Sequence, residues 1–154
     1  YNPAIEVREL KSQADFDAYV DVHFDPNWLY GSPSQQKSFL EDSIKEFKRF
    51  ITLGKAQRFG AFLNNVMIAE LGVFWDSGTV RFNNVGTHRD HRRIGACSSL
   101  VYEVSQRLLR RTDIDVLVME ADANYHAAAI YESVGFEAKQ KLISLEWKDA
   151  QKFS

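Results

Sequence analysis

Val85-Gly86-Thr87-His88-Arg89-Asp90-His91-Arg92-Arg93-Ile94-Gly95-Ala96-Cys97-Ser98 is the stretch on which the fold turns. Before it, residues 79–85 read as a strand. After it, Ile94, Cys97, Leu100, Val101, Val104 and Leu108 recur at spacings of three and four, the period of one buried helical face. The stretch is therefore a strand-to-helix turn. A helix start leaves backbone N–H groups without intrahelical acceptors and carries the positive end of the macrodipole, which together suit a phosphate. Gly95 removes a Cβ from the path of an approaching anion, and Arg89, Arg92 and Arg93 supply charge-assisted donors. A solvated basic turn before an ordinary helix has the same composition, so this stretch alone leaves both readings open. The spacing matches neither G-x-x-x-x-G-K-[ST] nor G-x-G-x-x-G, so it supports neither a nucleoside triphosphatase loop nor a dinucleotide fingerprint.

Working outward, residues 4–9 alternate apolar and polar as a first strand, and Phe16, Tyr19, Val20 and His23 or Phe24 place a helix between Ser12 and Pro26. The loop 25–34 carries Trp28 and Tyr30. A longer helix enters through Ser32-Pro33, carries Phe39, Leu40, Ile44, Phe47, Phe50 and Ile51, and ends at Gly54. Residues 57–63, 66–75 and 79–85, joined by Asn64-Asn65 and Asp76-Ser77-Gly78, form an antiparallel meander. Its aromatic residues read as core. The apolar run Val116-Leu117-Val118-Met119 within 115–121 predicts a fifth strand buried on both faces, and strand, helix, strand implies a right-handed parallel crossover. A helix with Ala127, Ile130, Tyr131 and Val134 follows an Asn124 cap and stops at Gly135, and a last strand is expected in 136–147. The architecture expected is one mixed α/β domain, residues 1–154, with about four helices.

The chain has 154 residues, 19 Lys+Arg against 21 Asp+Glu, and a formal net charge of -2. That balance gives no general attraction for nucleic acid or an anionic membrane, so neither is expected as a partner. No apolar run approaches the roughly 18 residues of a membrane span, and residues 1–20 show no charged segment followed by an apolar one. The lone Cys97 makes no internal disulfide. A cytoplasmic protein is expected. The first residue is Tyr1 and a strand-like run begins at Ile5, which predicts that the natural protein extends further upstream.

A second stretch, Asn124-Tyr125-His126-Ala127-Ala128-Ala129-Ile130-Tyr131-Glu132-Ser133-Val134-Gly135-Phe136, completes the pattern. Together the two resemble the GNAT N-acetyltransferase superfamily. Arg92-Arg93-Ile94-Gly95-Ala96-Cys97 is similar to the family's Arg/Gln-x-x-Gly-x-Gly/Ala motif, with Cys97 departing from the usual Gly or Ala. Asn124, Ala127, Tyr131, Gly135 and Phe136 match its later Asn-x-x-Ala-x-x-x-Tyr-x-x-x-Gly-Phe pattern at every position.

The resemblance implies acetyl-coenzyme A as cofactor, without a metal, and a V-shaped splay between the fourth and fifth strands. The pyrophosphate would lie on the backbone N–H groups of Arg93, Ile94, Gly95, Ala96, Cys97 and Ser98, with Arg92 beside it. The pantetheine arm would run along Val85 and Thr87 and meet Asn124 and Ala127. An extended amide-bearing arm can pair with a strand edge as another strand would. The resemblance makes Tyr131 the proton donor to the departing thiolate, consistent with a phenol pKa of about 10. A packed aromatic on the inner face of a short helix is the plainer reading of Tyr131, as a simple N-cap is of Asn124.

An acceptor amine must lose a proton before it attacks, and Glu120, at the exit of the fifth strand, is the first candidate for the base. Glu70 is a second carboxylate within reach; Asp122, His126 and His88 are weaker. Asn83 and Asn84 hold no base; they would hold water or orient the acetyl carbonyl, or mark a strand end fraying into the loop. His88, His91 and His126 suggest no metal, because His88 and His91 lie among arginines and no Cys or carboxylate cluster completes four ligands. Cys97 points inward and is not expected as a nucleophile.

The function expected is acetyl transfer to a primary amine of a small molecule or peptide by direct attack in a ternary complex. The alternative is a non-catalytic acyl-coenzyme A sensor or partner domain of the same fold. A basic loop that binds a nucleotide or a nucleic acid is a third reading. Asp15, Asp17, Asp21 and Asp25 suit a cationic amine, or form a solvated helix face. The short C-terminal strand region leaves the usual closing strand pair incomplete, which implies a more open pocket or a strand supplied by a partner subunit in a homodimer.

Overall fold

The computed structural model describes residues 2–121 and 127–142. Its elements are β1 (Glu6–Glu9), α1 (Gln13–His23), α2 (Pro33–Thr52), β2 (Ala56–Leu63), β3 (Val66–Asp76), β4 (Thr79–Thr87), α3 (Ala96–Leu109), β5 (Val116–Val118) and α4 (Ala127–Ser133), with a 3-10 turn at Arg89–His91. The strands form one sheet in the order β1-β2-β3-β4-β5. The first four are antiparallel, and β4 pairs with β5 in parallel. This is the mixed α/β architecture expected.

The meander closes through two tight turns. Asn64 and Asn65 (φ 50° and 64°) link Leu63 to Val66, and Ser77 and Gly78 (φ 48° and 81°) link Asp76 to Thr79. Two consecutive left-handed residues give a turn whose twist matches the flanking strands, and Asn and Gly tolerate that conformation best. The first two helices begin through capping boxes. Ser12 accepts from the Asp15 N–H while Asp15 reaches back to the Ser12 N–H; Ser32 and Gln35 do the same for α2, with Pro33 opening it.

The two faces of the sheet are covered differently. On one, Val7, Phe59, Ala61, Ile68, Leu71, Val73, Val80 and Phe82 pack against Leu100, Val101, Val104 and Leu108 of α3. On the other, Phe62 and Met67 pack under Phe16, Tyr19 and Val22 of α1 and Leu40, Ile44 and Phe47 of α2. Each fully buried side chain of this kind contributes about 1.5–3 kcal/mol. Arg107 Nη2 donates to the Val7 carbonyl at 2.5 Å and so ties α3 to the edge strand. No helix among the described residues is long and apolar enough to cross a membrane.

Several expectations need correcting. β5 spans three residues and is not buried on both faces: Val116 and Val118 are exposed, because α1 lies over β3 and β4 and α2 over β2, and no helix among the described residues covers this face of β5. Residues 136–142 contain no strand; the rest of the expected last strand lies outside the described residues, as does the Asn124 cap. Asp15 does not belong to a solvated face. Its carboxylate is buried, accepting from Arg8 and from the Lys11 and Ser12 N–H groups. Asn83 and Asn84 are not a fraying end either, since β4 continues to Thr87.

Candidate active site

At the end of β4 the chain turns through the 3-10 segment and reaches α3 by way of Arg93 (φ 63°) and Gly95 (φ 83°). A left-handed arginine costs about 1–2 kcal/mol, strain that persists where the surroundings fix the backbone. Gly95 is the N-cap of α3 and offers no side chain to it, so no side-chain cap closes the first turn. Arg92 and Arg93 are exposed and make no ion pair or hydrogen bond among the described residues. From the other side, Asn2 fixes the turn: its Nδ2 donates to the Ile94 carbonyl at 3.1 Å and its N–H to Ser99 Oγ at 3.0 Å. An uncapped 14-residue helix flanked by two unpaired arginines fits a diphosphate. Cys97 is half-buried, and burial pushes its thiol up to about 11, which fits its inward placement.

β4 and β5 pair through Thr79↔Val116, Val80↔Leu117 and Arg81↔Val118 and no further, although β4 runs on to Thr87. The two strands thus part at Phe82, the splay expected between them. The same half of β4 carries a bulge. Its register with β3 passes from Gly72↔Asn83 to Glu70↔Gly86, so Asn84 and Val85 together oppose Leu71, with Asn84 at φ 47°. Bulges recur beside active sites because they re-aim side chains and end pairing.

Facing the bulge from the α1 side is a buried polar group that sequence reading did not assemble. Glu70 is fully buried, with one carboxylate oxygen on His23 Nε2 and the other on Arg58 Nη1. Arg58 is buried too, its guanidinium lying over the Tyr19 and Phe47 rings at 4.6 and 4.1 Å from their centroids. Such stacking suits a planar guanidinium. Burial pushes the Tyr19 hydroxyl above the ordinary phenol range, while Arg58 and Asn84 pull it back. Tyr19 also stacks on His23, with centroids 4.6 Å apart. Four polar side chains from α1, β2 and β3 thus meet under the split end of β4.

The predicted residues distribute around this centre. Val85 and Thr87 lie on the freed half of β4, and Arg92 to Ser98 form the turn into α3 and its first residues. Glu70 sits at the centre. Glu120 lies past β5, half exposed, paired with Arg81 Nη2 at 2.7 Å. Tyr131 is buried on α4 and packs edge-on to Phe136, which meets Phe82 of β4 the same way, with centroids 6.5 and 5.7 Å apart. Gly135 (φ 108°) ends α4 as expected: Phe136 N–H donates to the Tyr131 carbonyl and Gly135 N–H to that of Glu132, the paired bonds of a Schellman cap. Ala127 opens α4; Asn124, Asp122 and His126 lie outside the described residues. No group of three metal-ligating side chains occurs among the described residues. A cleft of about 550 Å³ beside the turn is lined by Ala18, Asp21, Met67, His88, Arg89 and His91.

Known proteins agree with this geometry. The family model described as FR47-like protein matches residues 75–145, the part that contains the split strands, the turn into α3 and α4 itself. A transcriptional regulator from Bacillus halodurans C-125 superposes with a TM-score of 0.70 at 18% identity, over 93% of this chain and 99% of that one. The PaiA N-acetyltransferase from Thermoplasma acidophilum, solved in complex with coenzyme A, superposes at 0.68 and 16% identity, over 89% and 92%. The chain has the GNAT fold. Another neighbour, the ribosomal-protein-S18-alanine N-acetyltransferase from Escherichia coli, superposes at 0.64 with 20% identity, over 88% of this chain and 79% of that one. No curated protein matches the sequence. The GNAT resemblance carried by residues 87–136 thus extends to the arrangement of the whole sheet.

The residues sequence reading missed are His23, Arg58 and Tyr19. Two signals pointed to them: a charged residue at an inward position of a strand, as Arg58 and Glu70 are, and a glycine inside a strand pattern, as Gly86 is, which marks close approach by another group.

Proposed function

We propose that the protein is an acetyl-coenzyme A-dependent N-acetyltransferase whose acceptor is a primary amine of a small molecule or peptide, attacking directly in a ternary complex. The observation that carries this reading is the uncapped α3 start with unpaired Arg92 and Arg93, placed where β4 leaves β5. The cofactor, when bound, supplies an acyl group activated as a thioester. The N–H groups of Ala96, Cys97 and Ser98 and the two arginines hold its diphosphate. The freed backbone at Val85 and Thr87 takes the arm as a strand edge would. Tyr131 holds, at its hydroxyl, the proton required by the leaving sulfur.

Coenzyme A release measured with a panel of amines tests the proposal. Wild-type protein should turn over at least one amine, and Tyr131→Phe should lose on the order of 10²-fold or more in kcat with little change in coenzyme A affinity. Tight cofactor binding without turnover of any amine sinks it. That outcome favours the sensor reading, to which the Bacillus halodurans neighbour, named a transcriptional regulator, lends support.

A further inference from the structure

We infer that His23 is the general base that deprotonates the acceptor amine, with Glu70 and Arg58 as the residues that position it. The inference rests on the acetyl-transfer reading above and gives a role to side chains outside α4 and the turn into α3. A base for this step must combine a free lone pair, access to the outside, and a place beside the freed half of β4.

Glu70 alone fails on access. It is fully buried and both its oxygens are engaged. Glu120 fails on availability and place, being held by Arg81 beyond the end of β5. His23 meets all three requirements. Its Nε2 faces a carboxylate oxygen and therefore carries the ring proton, which leaves the lone pair on Nδ1; Nδ1 has no partner among the described residues. Its side chain is 17% exposed, the outward edge of an otherwise closed group. It also lies directly on β4. A Cβ built on Gly86 would come within 2.4 Å of His23 Cε1 and 2.9 Å of both ring nitrogens, so the imidazole occupies the space a side chain would take.

The proton transfer balances without a further reactant. An N–H bond of the acceptor ammonium breaks, its electron pair stays on the amine nitrogen, and the proton forms a new N–H bond at Nδ1. The imidazolium then donates from both nitrogens, with Nε2 still on Glu70. Glu70 fixes the tautomer and offsets the new charge, as a carboxylate does behind a catalytic histidine. Arg58 holds the second Glu70 oxygen and is itself clamped between Tyr19 and Phe47. The position of His23 in the last turn of α1 also favours a cation there. Of the charged and titratable groups here, Glu70 from β3 and Tyr19 from α1 meet the ring itself; Arg58 from β2 reaches it through Glu70 and Tyr19, and the neutral Asn84 from β4 through the Tyr19 hydroxyl.

Two measurements test this separately from the acetyl-transfer reading. The first needs no substrate: long-range 1H–15N spectra of the intact, cofactor-free protein should show His23 protonated at Nε2 and bare at Nδ1 near neutral pH. Glu70→Gln should abolish that preference. A ring protonated at Nδ1 overturns the inference, whatever the protein acetylates. The second uses the best acceptor amine of the panel. His23→Gln should lower kcat about 10²–10⁴-fold, leave coenzyme A affinity unchanged, and remove the acidic limb of the kcat/KM profile. Added imidazole should partly restore turnover to His23→Ala. Retained turnover with an unchanged pH profile in His23→Gln overturns the assignment even if the protein is a proven acetyltransferase. Absence of wild-type turnover overturns the acetyl-transfer reading while the spectra still judge the His23–Glu70 pair.

Discussion

The imidazole of His23 and the Cα of Gly86 share a space that has room for only one side chain: an added Cβ would lie 2.4 Å from Cε1. Gly86→Ala must therefore displace the ring from Glu70 or push β4 outward. The expected result is a loss of about 1–3 kcal/mol of stability, the usual cost of overpacking. Turnover should fall further than stability explains, with the Nε2–H tautomer lost in the same long-range 1H–15N spectra. A variant of full stability and full turnover would show that the ring is free to move aside.

Arg92→Ala and Arg93→Ala should each weaken coenzyme A binding by about 1.5–3 kcal/mol, the contribution of a charge-assisted bond, and the double variant should flatten the salt dependence of binding. Isothermal titration at two ionic strengths reads both effects. Arg93→Gly separates the roles of charge and backbone, because it removes the guanidinium and relieves the left-handed strain at φ 63° together. It should bind coenzyme A as weakly as Arg93→Ala while unfolding at higher denaturant.

Asp15 is held well below the ordinary carboxylate range, chiefly by Arg8 and also by the N–H groups of Lys11 and Ser12. A depressed folded-state value means that the stabilisation is complete above the unfolded-state value, about 3.9, and is lost as pH falls through that value toward the lower folded one. Asp15→Asn should cost about 1–3 kcal/mol at pH 7, with the gap to wild type narrowing as the pH drops below about 4. Urea denaturation across that range is the check.

Cys97 should react slowly with iodoacetamide in the folded protein at neutral pH, because burial lifts its thiol to about 11 and the thiolate is the reactive form. The rate should still be climbing between about pH 8 and pH 10, and urea should accelerate it sharply. Fast labelling of the native protein would place the thiol at the surface.

Periodicity made most of this fold legible. The 3.6-residue repeat of α3, the capping boxes at Ser12 and Ser32, and the two tight turns of the meander are local properties, and each acts over a few residues. The strand-to-helix turn was legible for the same reason, since Arg92 to Ser98 are contiguous. The polar centre was not. His23 and Glu70 are 47 residues apart and Arg58 and Glu70 are 12 apart; the register of the β2–β3 hairpin brings Arg58 to Glu70, and only the docking of α1 on the sheet brings His23 to them. Glu120 and Glu70 looked alike as carboxylates on the strands to either side of β4; burial and partners, which depend on tertiary packing, set them apart. The exposed face of β5 was misread because an apolar run alone does not reveal how far the covering helices extend.

The extra residue at Asn84 has a last consequence for β4. In a regular strand Phe82 and Gly86, four apart, would face the same way. Here Phe82 packs toward α3 while Gly86 pairs with Glu70 and receives His23. The strand is two half-strands out of phase with each other, the first keyed to the core and the second to the chemistry. Substitutions in the first act on the core alone, whereas those in the second, Gly86→Ala among them, reach stability and the His23–Glu70 pair together.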